Sequence, residues 1–394
     1  MNELIKRGKP DFLLLFLTFF LICFGLIFVY SASMALGSGI AIRQLISTCL
    51  GVFLMLLFMN IDYRKLRKWI IPAFIGVTIL LLITPIIGVN KNNATSWIAL
   101  GSFTIQPAEF AKLAVIIYVA NLLSKKLEMV SDFKKGFIPP IAVVLFISAL
   151  IMLQPDFGST AILVSSTMIV IFVAGARIKH FAITAAIGAF FITIVYSINI
   201  ILNDGEHDYR MNRITTYLNP WSDPQGNGYQ IIQSLYALGH GRVTGAGLGQ
   251  SIQKLNYLPL PYNDFIFSVI GEELGFIGGS FFLLIYLAFI WRCILVALRS
   301  KEIFGTLIGV GIASIIGIQA FINMGGVTNT IPMTGVTLPL ISYGGSSMMV
   351  TLLGMGILLS ISRDRTKSET QSNKKSTNSK NNTSVRLVTN GRVP

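Results

Sequence analysis

Long apolar runs broken by short polar and basic segments dominate the chain from residue 12 to residue 362. A bilayer core about 30 Å thick requires roughly 20 apolar residues in helix, because hydrocarbon offers no water to an open backbone. Such runs fall at 12–30, 44–61, 69–89, 109–123, 137–153, 159–176, 181–202, 265–298, 304–324 and 338–362. The pattern predicts an all-α polytopic membrane protein with ten transmembrane helices and one large outer loop, 203–263, between the seventh and the eighth. Lys6, Arg7 and Lys9 ahead of the first run, and Ser31-Ala32-Ser33 after it, resemble a signal peptide. The run is longer than the roughly 7 to 15 apolar residues of a signal sequence, so it reads as a retained helix.

Composition supports this reading. Of the 394 residues 53% are hydrophobic and 12% charged, against roughly a quarter charged in soluble chains, which excludes an ordinary cytosolic enzyme. The net charge of +14 would suit a nucleic-acid binder if it were gathered on one surface. With the N-terminus placed in the cytoplasm, 24 of the 31 basic residues fall on the cytoplasmic side. Arg43, Lys91, Arg210, Arg213, Arg242 and Lys254 fall outside, and Lys112 lies within a span. The excess marks orientation, with both termini cytoplasmic, and implies no nucleic-acid partner. Cys23, Cys49 and Cys293 all lie in spans and read as small apolar residues, and there is no Cys/His metal spacing. Three regions result: a cytoplasmic N-terminus at 1–11, a membrane domain at 12–363, and a basic Ser/Asn/Thr/Lys-rich tail at 364–394, expected to be disordered in the cytoplasm.

Ionisable groups within spans are costly and ask for a reason. Glu109 and Lys112, three residues apart, share one helix face. They fit an internal ion pair, or a lysine turned to a cavity to meet an anionic substrate. Asp264 opens the eighth span directly after the outer loop. It fits a helix cap, or a carboxylate whose partial burial makes it a general base. Glu272 and Glu273 would lie on the order of 12 Å further along that helix and point about 100° apart, so at least one is expected to be a structural anchor. Asp156, in a Pro/Gly-punctuated turn, is expected to cap the sixth helix. Ser342, Tyr343, Ser346 and Ser347 flank paired glycines, where hydroxyls could bind sugar or phosphate or small residues could let helices approach. Arg210, Arg213, Arg242 and Lys254 give the loop a cationic set suited to phosphate, though scattered loop cations are commonly just solvated. Residue types alone leave transport and catalysis equally open.

Five segments narrow the choice: SWIALGSFTIQPAEFAKL at 96–113, QPDFGS at 154–159, YRMNRITTYLNPWSDPQGNGYQ at 209–230, GAGLGQSIQKLNYLPLPYNDFIFSVIGEELG at 245–275 and TGVTLPLISYGGSS at 334–347. In these motifs and their order the chain resembles the SEDS family (shape, elongation, division and sporulation), polytopic glycosyltransferases that polymerise bacterial cell-wall peptidoglycan. Thr337-Leu338-Pro339 and Asn219-Pro220-Trp221 look more like its division and sporulation branch than its elongation branch. The resemblance implies polymerisation of lipid II onto a lipid-linked glycan at the outer face of the bacterial cytoplasmic membrane, at the division septum. It also implies a class B penicillin-binding protein as transpeptidase partner, with other divisome proteins. Asp264 matches the family's essential aspartate and is the expected base, while Lys112, oriented by Glu109, is expected at the pyrophosphate or sugar. Arg210, Arg213 and Lys254 are expected at phosphate, and Ser342, Tyr343, Ser346 and Ser347 along the same cavity. A pyrophosphate leaving group makes a divalent cation, Mg or Mn, a plausible co-reactant. Two positions depart from the family pattern: Leu260 stands where a glutamate is common, and Thr95-Ser96 precede Trp97 where an arginine is common. A lipid II flippase and a divisome scaffold are the competing readings.

Overall fold

A computed structural model of the chain describes residues 8–91, 94–101, 103–186, 188, 215–226 and 228–364. The α-helices described from end to end, in chain order, are α1 (Phe12–Ser33), α2 (Gly39–Asn60), α3 (Leu66–Ile87), α4 (Pro107–Lys125), α5 (Ile138–Met152), α6 (Phe157–Val173), α7 (Tyr229–His240), α8 (Ile266–Leu298), α9 (Ile303–Val327) and α10 (Gly345–Ser362). Eight helices among the described residues are long and apolar enough to cross a membrane: α1 to α5, α8, α9 and α10. For α3 and α5 this includes the tighter or wider turn at Tyr63–Lys65 and Phe133–Phe137 that leads into each. The apolar α6 is shorter. Most of the predicted seventh span, Arg210, Arg213 and the tail beyond residue 364 lie outside the described residues.

Three features depart from a bundle of plain spans. Between α3 and α4 the chain forms a three-stranded antiparallel sheet, β1 (Val89–Lys91), β2 (Ala94–Leu100) and β3 (Phe103–Ile105), with Val89 opposite Trp97 and Ile98 opposite Ile105. An all-α description therefore needs this correction. The alternating Thr-Ser-Trp-Ile-Ala-Leu stretch suits a half-buried strand, and Gly101, at φ 61°, permits the reversal into β3. Ser96 fastens the sheet to the α5–α6 turn by donating to the Gln154 carbonyl at 2.9 Å.

Second, the expected outer loop contains α7, whose Ile231, Ile232, Ser234 and Ala237 are buried. Ser234 donates to the Val327 carbonyl at 2.7 Å and lies 2.7 Å from the Ser268 hydroxyl, so α7 lies over α8 and the end of α9. The eighth span is itself broken at Gly275, where φ is 68° and ψ −169°. After the break, 276–298 measures roughly 35 Å at 1.5 Å per residue and can cross a bilayer alone. Glu273 accepts from Ser31, at the far end of α1. The two glutamates are therefore at the end of the bundle and not a further 12 Å within it. The broken backbone is satisfied by the loop: Ala246 and Gly247 donate to the Glu272 and Glu273 carbonyls (2.9 and 3.0 Å), and Phe276 and Ile277 donate to those of Arg242 and Val243 (2.9 and 3.1 Å). A β-carbon at Gly275 would lie 2.2 Å from the Gly245 nitrogen. Gly275→Ala is accordingly expected to destabilise the protein by at least ~1–3 kcal/mol, read as a lower unfolding midpoint in detergent.

Third, the predicted last span begins late. Residues 338–344 form a non-helical hairpin packed within the bundle, and α10 starts only at Gly345. Such backbone is tolerated in a membrane protein where other protein groups satisfy it. Gln44 of α2 does so twice, donating to the Ser342 carbonyl at 3.1 Å and accepting from Gly344 N–H at 3.2 Å. Tyr286 donates to the Pro339 carbonyl at 3.1 Å, and Ser342 Oγ accepts from Leu338 N–H at 2.8 Å. Gly25 of α1 makes room, since a β-carbon there would lie 2.6 Å from the Leu340 oxygen.

At the opposite end, ion pairs gather the helix ends. Asp11 caps α1 through Leu14 N–H and takes a two-pronged contact from Arg292 (3.0 and 2.6 Å). Arg64 bridges Glu302 at 2.6 Å and Asp364 at 2.7 Å. The described start and finish of the chain meet here, with Gly8 N–H donating to the Arg363 carbonyl at 2.9 Å.

Candidate functional site

The chemistry-bearing groups collect at the other end, where α4, α8 and α9 meet the hairpin. α4 opens with Pro107 in its first turn, where proline costs no hydrogen bond, and Glu109 follows in that turn, where the helix dipole favours a carboxylate. The three-residue spacing brings Lys112 Nζ to 2.8 Å from Glu109 Oε1. Lys112 is 1% exposed and also donates to Gln319 Oε1 at 2.9 Å. The Gln319 amide then donates to the Thr337 carbonyl at 3.0 Å, and Thr337 Oγ1 donates to Ser347 Oγ at 3.1 Å.

Asn323 lies one turn further along α9, on the same face as Gln319. Its amide nitrogen donates to the carbonyls of Asp264 and Val336, each at 2.7 Å. Gln319 and Asn323 thus hold Val336 and Thr337 between them and join the buried lysine to the half-buried aspartate. The Asp264 carboxylate lies against Gly335, whose added β-carbon would stand 3.4 Å from Oδ2. Two residues earlier, Tyr262 accepts through its carbonyl from Tyr343 N–H at 2.9 Å, with the rings edge to face at 5.5 Å. Burial pushes the Tyr262 phenol above its ordinary pKa, and nearby Tyr343 adds to this, so it stays a neutral donor.

The remaining sequence-derived positions separate. Ser346 Oγ accepts from Gln106 N–H at 3.1 Å and donates to the Thr104 carbonyl at 3.0 Å, bonding α10 to the sheet. Asp156 caps α6 through Ser159 N–H at 2.9 Å and accepts from Gln106 Nε2 at 2.9 Å. Trp97 is half-buried on β2. Lys254, grouped by sequence with the loop cations, is 3% exposed and bound to Glu273 and Ser31, each at 2.8 Å. The adjacent Glu272 has other partners: His240 Nδ1 at 2.9 Å, Ile252 N–H at 2.9 Å and the Ser251 hydroxyl. Gln319, Asn323 and Gln44 escaped the sequence reading because they are uncharged residues within apolar spans, and Thr337 entered it only as a mark of the family branch. The amide pair spaced by four residues within an apolar span was the available signal. Among the described residues no group of three His, Cys, Asp or Glu comes together.

The profile of FtsW, RodA and SpoVE proteins, described as "cell cycle protein", matches residues 12–367, which includes every described helix and the whole site. The chain belongs to the FtsW/RodA/SpoVE family. It is 45% identical over 368 residues to stage V sporulation protein E of Bacillus subtilis, covering 91% of this chain and 98% of that protein. To the probable peptidoglycan glycosyltransferase FtsW of Geobacter metallireducens it is 40% identical over 363 residues, covering 90% and 95%. Among solved structures, a chain from a study of the structural coordination of polymerization and crosslinking by a peptidoglycan synthase complex superposes with a TM-score of 0.76 at 28% identity, covering 91% and 99%. The rod shape determining protein RodA of Thermus thermophilus gives 0.66 at 26% identity, covering 91% and 98%. Family membership and the long apolar helices make this a multi-pass membrane protein.

Proposed function

We propose that this member of the FtsW/RodA/SpoVE family is a peptidoglycan glycosyltransferase that polymerises lipid II into β-1,4 glycan in division or sporulation. One observation carries the reading: the Asp264 carboxylate is half-buried at a loop-covered end of the bundle and linked through Asn323, Val336, Thr337 and Gln319 to the buried Lys112. A half-buried carboxylate suits proton abstraction from a sugar hydroxyl. In this reading Asp264 takes the proton from the acceptor's 4-hydroxyl as that oxygen attacks the donor's anomeric carbon. The new C–O bond forms with inversion, the bond to the pyrophosphate oxygen breaks, and undecaprenyl pyrophosphate leaves. Lys112 stands near the leaving group's charge, with Glu109 and Gln319 fixing its ammonium. Arg210 and Arg213 complete phosphate recognition from the loop. A Mg or Mn ion accompanying the pyrophosphate would offset its charge.

The positive-inside asymmetry of the sequence supports a cytoplasmic Arg64–Asp364 end and an outer Asp264, and its apolar runs support ten spans in all. Lipid chains would enter between helices: α2 lies along α10 and α1 whereas α3 lies along α4, and both present broad apolar surfaces outward. A class B penicillin-binding protein would crosslink the emerging strand at the septum. The test is purified protein with lipid II and that partner, resolved on a polymer gel. Ladder formation is expected. Transbilayer movement of lipid II in vesicles with no polymer would instead establish a flippase.

A further inference from the structure

The segment that delivers Asp264 is gripped by two consecutive glutamates. Their backbone carbonyls bind Ala246 and Gly247 across the Gly275 break. The Glu272 carboxylate binds His240, Ser251 and Ile252. Glu273 Oε1 binds Lys254 Nζ at 2.8 Å and the Ser31 hydroxyl at 2.6 Å, and Lys254 itself reaches Ser31 at 2.8 Å. Both members of this ion pair are nearly fully buried, at 3% and 1% exposure. Removing such charges from water costs several kcal/mol per ion, so packing alone would be better served by apolar residues of similar size. What the pair supplies is a single register for the loop against α1 and α8.

That register is transmitted to Asp264 because the intervening chain is stiff. Pro259 and Pro261 fix two backbone angles. Leu258 N–H donates to the Gln253 carbonyl at 2.8 Å, and Asn263 N–H to that of Leu260 at 3.1 Å. Asn256 and Leu260 adopt left-handed conformations with φ of 69° and 50°, and Leu258 is buried. Asn323 then holds the far end through the Asp264 carbonyl. We propose that Lys254 and Glu273, seated on Ser31, are positioning residues for glycosyl transfer: they set where the Asp264 carboxylate stands and touch neither sugar nor phosphate. This rests on the reading of Asp264 as general base.

Glu273→Gln and Lys254→Gln, in the full chain with the same partner and lipid II, are each expected to lower kcat about 30-fold with KM changed less than threefold. Lys254→Arg, which keeps the charge, should retain at least a third of wild-type kcat. In an Asp264→Asn background, adding Glu273→Gln should cost less than a further twofold, because the residue acts through the missing carboxylate. Equal losses in the two backgrounds, or a raised KM at unchanged kcat, would overturn the proposal. Hydrogen exchange in detergent gives a readout independent of turnover: amides of 251–264 should exchange at least tenfold faster in Glu273→Gln, with α9 unchanged, and unaltered exchange would also overturn it. A wild-type protein that makes no polymer defeats the glycosyltransferase reading, while the exchange measurement still decides whether this pair holds the loop.

Discussion

Asp264→Asn is expected to slow glycan polymerisation roughly 10²- to 10⁴-fold, the range contributed by a positioned general base. The substitution is nearly isosteric and removes the carboxylate's charge, and with it the ability to take a proton. The residue's anchor to α9 runs through its backbone carbonyl, which Asn323 still binds, and the contact with Gly335 is open to an amide of the same shape. Loss of activity through misfolding is therefore not expected. KM for lipid II should move by less than threefold, and the unfolding midpoint should match wild type. Initial rates from polymer gels decide the matter: a variant within threefold of wild type would remove Asp264 from the reaction.

The second large effect is expected at Lys112. Lys112→Met leaves Glu109 buried at 6% exposure without its cation and leaves Gln319 Oε1 without its donor. Breaking a buried pair from one side costs about 3–5 kcal/mol, so the unfolding midpoint in detergent should fall markedly. The double variant Glu109→Gln/Lys112→Met discharges both partners and should recover most of that loss. Its turnover then separates two roles. Recovered stability with polymerisation still reduced at least 100-fold places Lys112 at the substrate, whereas recovery of both makes the pair a packing element.

Which features the sequence disclosed follows from what each signal averages over. A span is legible because its residues share one property over about 20 positions, and the described spans lie where apolar runs place them. Local reversals are lost in the same averaging. The sheet at 89–105, the break at Gly275 and the delayed start of α10 depend on single glycines and on distant partners such as Gln44 and Arg242. The candidate site follows the same logic. Asp264, Glu109 and Lys112 stood out as charges in apolar surroundings. Gln319 and Asn323, which join them, are uncharged, and only tertiary structure shows that they bind the adjacent loop carbonyls of Thr337 and Val336. Lys254 was visible as a cation, but its burial depends on Ser31, far away in sequence.

The buried hairpin at 338–344 carries a consequence for biosynthesis. Its hydrogen-bond partners and its niche come from Gln44, Tyr286 and Gly25, on helices that leave the ribosome well before it. The two bonds that Gln44 makes to this segment therefore require residues made about 300 positions later. The link between Arg64 and Asp364 likewise joins segments 300 residues apart in the sequence. A chain ending before residue 338 would leave Gln44 and Tyr286 without these partners at one end of the bundle and Arg64 without Asp364 at the other.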